Sequence, residues 1–246
     1  MDEIKEKYIY GLNPVKEYLK IVKSGKLFIL KNSNNQKFIP IVEKAKSKNI
    51  DIEFIPLSFF SENFPGKNHQ NIVLKIDESF NKHIDENELI KNLKNSDEIK
   101  KIVILDGIKD VGNFGAIIRS SLLFGVDYLI LPKDNSTSIT EAVVRASSGA
   151  ISYMNIVYVT NLVRIIEKFK ECGFWIYGAD RNGESINNIK FSEKIVIVFG
   201  EEGRGIRELV KKNCDIIATI PTNEKLDSLN LSVSVAIFLY QLFINN

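Results

Sequence analysis

The chain has little of what small disulfide folds and metal-dependent folds are built on: its 246 residues include two cysteines, two histidines, one tryptophan and six prolines. Cys172 and Cys214 lie far apart, and His69 and His83 sit in another region. A disulfide scaffold is therefore excluded, no metal-ligand spacing exists, and both thiols read as buried. No apolar run approaches the roughly 18 residues that span a bilayer, and the opening MDEIKEK lacks the apolar core of a signal peptide. These absences point to a cytoplasmic protein with no membrane contact and no bound metal. What is present, 44% hydrophobic, 26% charged and 10% aromatic residues, is the composition of a globular chain. Its length suits one large domain or two ordinary ones.

Arginine is scarce as well. Only 6 of 33 basic residues are Arg, all between Arg119 and Arg207. Where a lysine-biased chain still uses Arg, a planar, bidentate, permanently charged fork is the expected reason, with simple helix-surface placement the alternative for Arg164 and Arg207. The net charge of +2 hides an asymmetry: residues 1–75 hold 13 lysines against 8 acids, and residues 76–99 hold 3 lysines against 7 acids. A basic N-terminal unit suits contact with a phosphate backbone, although a lysine-rich face is more often just solvated.

Three segments follow from the patterning. Residues 1–76 alternate helical and extended stretches: a helix opening at Asn13-Pro14 with Asn13 as its cap, a strand at 26–30, a helix near 37–48, and strands at 51–56 and 71–76. Residues 77–99 are acidic and read as a linker with one exposed helix. From 100 to 246, short and nearly continuous β-branched runs (101–106, 128–132, 155–159, 175–180, 195–200, 215–221) alternate with helices near 114–125, 139–149, 161–172 and 205–213, and one after Asn230. Such runs belong in a parallel sheet covered on both faces, so the fold class is α/β.

Ligands of open parallel sheets bind beyond the carboxyl ends of the strands, which directs attention to three loops. After 101–106 comes DGIKDVGNFGAIIRSS, where Gly112, Asn113 and Gly115 open a helix carrying Arg119. The helix dipole does not favour a cation so early, so Arg119 serves either a phosphate or oxyanion, or neutralises Asp106 or Asp110. After 195–200 comes GEEGRGIREL, with Gly200, Gly203 and Gly205 around Glu202. It has neither the Walker A nor the dinucleotide spacing, and a simple turn explains one glycine more easily than three. After 215–221 a polar loop with Ser228 and Asn230 enters a helix that is apolar almost all round, which must be buried in the core or against a second subunit.

In this order, the three segments resemble the signature motifs of the SpoU/TrmH family of RNA ribose 2′-O-methyltransferases in the SPOUT superfamily. The first motif, N-x-G-[AN]-I-x-R, matches Asn113 to Arg119; the second, G-x-E-G-x-G, matches Gly200 to Gly205; the third matches Ile220, Pro221, Ser228, Leu229, Asn230, Ser232 and Val233. YGLNPVKEYL (10–19) and His69 to Val73 are similar to the substrate-binding domain of the subgroup acting on large-subunit ribosomal RNA. The third motif's usual Met and Gly are Thr222 and Glu224 here, and Asn71 stands where glycine is usual after His-Gln, a replacement that the left-handed region tolerates.

The resemblance implies a SPOUT-type parallel sheet with a deep trefoil knot at 100–246, preceded by a small, ribosomal-protein L30e-like, substrate-binding α/β domain. It implies S-adenosylmethionine held near Phe199, Gly200, Gly203, Ile220, Ser228 and Leu229. The catalytic set it implies is Arg119, Asn113, Glu202, Ser228 and Asn230, with Glu202 organising the loop rather than acting as a base. It also implies an RNA substrate, ribosomal rather than transfer RNA and guanosine by preference, and a homodimer through the C-terminal domain. The competing reading is a non-catalytic RNA-binding or ribosome-assembly protein on the same fold.

Overall fold

The structure, a computed structural model, describes residues 6–22, 24–31, 36–77, 84–98, 100–223 and 228–245. His83 and Glu224 lie outside the described residues. The chain separates into two units, Met1–Lys82 and His83–Asn246.

The first unit runs β1 (Glu6–Tyr10), α1 (Leu12–Ile21), β2 (Lys26–Leu30), α2 (Ile39–Ser47), β3 (Asp51–Ile55), α3 (Leu57–Asn63) and β4 (Ile72–Asp77). Its sheet has the order β1-β4-β2-β3, with β4 antiparallel to both neighbours and β2 parallel to β3. Helix α1 begins earlier than its sequence suggests. Gly11, at φ 87°, is the cap residue, and Leu12 N donates to Gln70 Oε1 at 2.9 Å in place of a cap by Asn13. Gln70 and Asn71 hold φ values of 49° and 64°, as expected of Asn71. His69 stacks on Phe60 with ring centroids 4.9 Å apart, a packing role within an aromatic cluster that includes Phe28 and Phe64.

In the second unit, α4 (Glu86–Asn95) precedes β5 (Lys101–Asp106), α5 (Val111–Leu123), β6 (Tyr128–Pro132), α6 (Glu141–Ala146), β7 (Asn155–Val159), α7 (Leu162–Glu171), β8 (Trp175–Ser185), β9 (Ile195–Gly200), α8 (Glu208–Lys211), β10 (Ile216–Thr219) and α9 (Leu231–Ile244). All strand pairs are parallel, in the order β10-β8-β9-β5-β6-β7. The apolar runs are continuous because β5, β6 and β9 are covered on both faces; Val103, Ile104, Leu105, Leu129, Ile130, Val196 and Val198 are essentially inaccessible. Helix α7 buries Leu162, Ile165, Ile166 and Phe169, a 3.6-residue stripe, and Asn161 caps it by accepting from Arg164 N.

Helix α4 corrects the expectation of an exposed linker helix. Asp85 caps it, and Leu89 and Leu93 join Ile84 in the core of the second unit, so the acidic stretch contributes packing there. Cys172 and Cys214 are free thiols, partly buried, that pack against the same core. Burial pushes the Cys214 thiol up to about 12.

Candidate active site at the carboxyl ends of the sheet

The first motif does not open its helix with glycines. Asp110 is the cap residue, its carboxylate accepts from Asn113 N at 2.6 Å, and α5 starts at Val111, so Gly112, Asn113 and Gly115 are all helical. Gly115 is there for packing: a Cβ on it would lie 2.3 Å from Ala146 Cβ and 2.7 Å from the Ala146 carbonyl carbon. Helices α5 and α6 cross at that point.

The loop after β9 is a self-contained turn. Glu201 and Gly205 form an isolated antiparallel bridge, Gly203 and Gly205 have φ values of 76° and 72°, and a Cβ on Gly200 would fall 2.0 Å from the Gly205 carbonyl carbon. The turn's own conformation therefore accounts for all three glycines. Phe199, ahead of the turn, is buried with its ring edge-on to Phe238 of α9 at 5.3 Å.

Asn230 links the third segment to the other two. Its Oδ1 accepts from Ser232 N and Val233 N, the capping role expected at a helix start. Its Nδ2 donates to Asn113 Oδ1 at 3.0 Å and to Glu202 Oε1 at 2.9 Å. Leu231 N also donates to Glu202 Oε1, at 3.3 Å. Three segments as far apart in sequence as residues 113, 202 and 230 thus meet in one polar junction, where Glu202 is purely an acceptor. Ser228 and Leu229 are exposed beside it, and Ile220 is half-buried just beyond β10.

Arg119 lies on the exposed side of α5, one turn beyond Gly115, and no hydrogen bond or ion pair to another described residue involves it. Asp106 and Asp110 do not neutralise it: Asp110 caps α5, and Asp106 is taken by Arg207. Arg207 in turn is no ordinary surface arginine. Its Nε and Nη2 meet Asp106 Oδ1 at 2.7 and 2.6 Å, and its backbone N donates to Asp106 Oδ2 at 2.8 Å. Arg164 is a surface residue, 3.7 Å from Glu86. Lys109 pairs with Glu201 at 2.5 Å and holds that carboxyl below the usual range. The sequence offers Asp106 only as a partner for Arg119 and leaves Arg207 open to a simple helix-surface role, and it gives no role to Lys109; the scarcity of arginine is the signal that singles out Arg207, while nothing local marks its partner 101 residues away. Among the described residues no cluster of His, Cys, Asp or Glu could hold a metal ion, and no helix is long and apolar enough to cross a membrane.

Known protein families match both parts of the chain. Residues 100–240 match the model of the SpoU rRNA methylase family, and residues 8–81 match that of the RNA 2′-O ribose methyltransferase substrate-binding domain. The chain is 37% identical over 241 residues to the 23S rRNA (guanosine-2′-O-)-methyltransferase RlmB of Coxiella burnetii, covering 96% of this chain and 95% of that protein. It is 37% identical to an uncharacterized tRNA/rRNA methyltransferase of Borreliella burgdorferi, over 82% of this chain and 91% of the relative. The fold is similar to that of AviRb, a SpoU methyltransferase from Streptomyces viridochromogenes solved with AdoMet, with a TM-score of 0.71 at 16% identity over 97% of this chain and 89% of that one. With its three motif segments joined at one junction and both of its parts matched, the chain belongs to the SpoU rRNA methylase family, enzymes that methylate RNA ribose 2′-hydroxyls from S-adenosylmethionine.

Proposed function

We propose that the protein methylates the 2′-hydroxyl of a guanosine in large-subunit ribosomal RNA, in the cytoplasm. The junction of Asn113, Glu202 and Asn230 carries this reading, because it draws the residues of three motifs to one place. Ribosomal RNA is favoured over transfer RNA by the Coxiella relative, which matches over nearly the full length of both chains.

The residues around the junction fit S-adenosylmethionine. The turn that follows the apolar Phe199 closes only because residue 200 is glycine, and the apolar Leu229 adjoins Asn230, which binds Glu202 of that turn. That is the chemistry of a site reading an adenine through backbone atoms. Phe199, Gly200, Gly203, Ile220, Ser228 and Leu229 would hold the cofactor, which when bound supplies an electrophilic methyl group on a sulfonium. The protein's task is alignment of the hydroxyl. Arg119, exposed and unpaired among the described residues, binds the phosphate beside the target ribose and steadies the developing alkoxide. A guanidinium keeps its protons, so the hydroxyl proton leaves to phosphate or water. Asn113, Ser228 and Asn230 orient the hydroxyl and its neighbours.

In this reading the C-terminal chain is threaded as a trefoil knot. The apolar surface of Leu123 on α5 and of Tyr240, Phe243 and Ile244 on α9, each more than half exposed, is covered by a second copy in a homodimer. The lysine-rich, L30e-like N-terminal unit positions the RNA through phosphate contacts, and RNA shape supplies specificity. Incubation with unmodified 23S ribosomal RNA, transfer RNA and labelled cofactor, followed by mapping of 2′-O-methyl sites, tests the assignment. Label at one guanosine of 23S RNA is expected; label in transfer RNA only, or none, overturns it.

A further inference from the structure

Asp106 ends β5 with only 4% of its surface exposed, and its two oxygens take three donors from one residue: Arg207 N at 2.8 Å, Nε at 2.7 Å and Nη2 at 2.6 Å. As a source of stability such a pair is unremarkable, because desolvating the carboxylate offsets most of the attraction and two apolar side chains would serve the core as well. What an apolar pair cannot supply is direction. By accepting from both the backbone and the side chain of Arg207, Asp106 sets the position and the orientation of the chain where the 201–206 loop ends. Lys109 grips Glu201 at the loop's other end, and both Asp106 and Lys109 come from the stretch that leads into α5 and Asn113.

We infer that Asp106 and Arg207 are positioning residues for methyl transfer: they clamp the 201–206 loop in the shape that presents Glu202 to Asn230 and Leu231, and so preform the methyl-donor site. The inference rests on the reading of that loop as the cofactor site, but the clamp itself can be measured without cofactor.

Arg207 is half exposed, so Arg207→Gln should fold. Amide hydrogen exchange on the full-length protein is expected to rise about tenfold or more over 201–207 in this variant while β5 and β9 stay protected, with Arg207→Lys intermediate because it keeps the charge and loses the fork. Calorimetry should show S-adenosylmethionine binding weakened about tenfold, the effect of one charge-assisted hydrogen bond, and KM for cofactor should rise with kcat changed less than about threefold. Unchanged exchange in the loop overturns the clamp. Faster exchange with unchanged cofactor affinity shows that the clamp does not position the site, and overturns the inference. If the unmodified protein binds no cofactor, the proposed function fails, and loop exchange alone still decides whether the clamp exists.

Discussion

A glycine inside a helix is ordinarily a weakness, so replacing Gly115 by alanine should stabilise α5 by about 1 kcal/mol. The packing predicts the opposite sign. The new Cβ would lie 2.3 Å from Ala146 Cβ, 2.7 Å from the Ala146 carbonyl carbon and 2.8 Å from Ser147 N, and two of those three atoms are backbone. Ordinary carbon contact is about 3.5–4.0 Å, so the helices must part by more than about 1 Å. The turn behind cannot readily absorb that shift: Ser147 is fully buried, and Ser148 and Gly149 hold φ values of 51° and 84°. Overpacking costs about 1–3 kcal/mol, which after the propensity gain leaves a net loss of up to about 2 kcal/mol and a melting temperature lower by up to about 8 °C. Movement of α5 also carries Asn113 away from its 3.0 Å contact with Asn230, so methyl transfer should fall more steeply than stability. Melting of Gly115→Ala followed by circular dichroism checks the sign. Gly112→Ala is the control: it is helical too, its Cβ meets only the Asp110 carboxylate at 3.2 Å, and with no backbone in the way it should melt no lower than the parent, gaining up to about 1 kcal/mol. A Gly115→Ala protein that melts higher than the parent would refute the close-approach argument.

Glu202→Gln keeps an oxygen that can accept from Asn230 and Leu231, so turnover should stay within about fivefold of the parent while Glu202→Ala loses about a hundredfold; a Gln variant as inactive as the Ala variant would make Glu202 a base instead of a loop acceptor. Arg119→Lys, which keeps the charge and removes the planar fork, should lose about a hundredfold in kcat with little change in melting temperature, and near-normal turnover would remove Arg119 from the proposed role. The Cys214 thiol, raised by burial to about 12, favours the folded state in its protonated form. Its contribution is complete below the ordinary thiol pKa and is lost as pH climbs toward 12, at about 1.4 kcal/mol per pH unit. Urea midpoints of the parent should therefore fall faster between pH 9 and 10 than those of Cys214→Ala, and parallel curves would contradict the burial effect.

The strands of the second unit are legible in sequence because a parallel strand buried on both faces reads as an unbroken apolar run, and Ile195–Gly200 has no other plausible home. The errors share a different cause. Gly112 and Gly115 read as chain breaks because local propensity disfavours glycine in helices, yet Gly115 is helical for the sake of Ala146, a tertiary demand that no window of sequence displays. Leu89 and Leu93 lie in a polar, acidic stretch whose composition hides a two-residue apolar contact with the core. Strand β1 (EKYIY) was missed altogether, since it is short and charged at its start and only its pairing with β4 makes it a strand.

The site divides in the same way. Glycines, Asn113 and Asn230 could be found because motif spacing is local, and each serves a local purpose as well: Asn230 would be needed as a helix cap even without chemistry. The pairing of Asp106 with Arg207 could not, because a buried carboxylate reveals its partner only when β5 and β9 lie side by side, with Asp106 in register with Gly200. That register is what converts a sheet into a site. Parallel pairing sets the ends of β5 and β9 level, so the loops leaving them start side by side at the same height. The fold thus dictates that the two loops meet, and the residues choose only what they say to each other: a carboxylate to a guanidinium at the base, an ammonium to Glu201 at the flank, and Asn113 to Asn230 and Glu202 at the top.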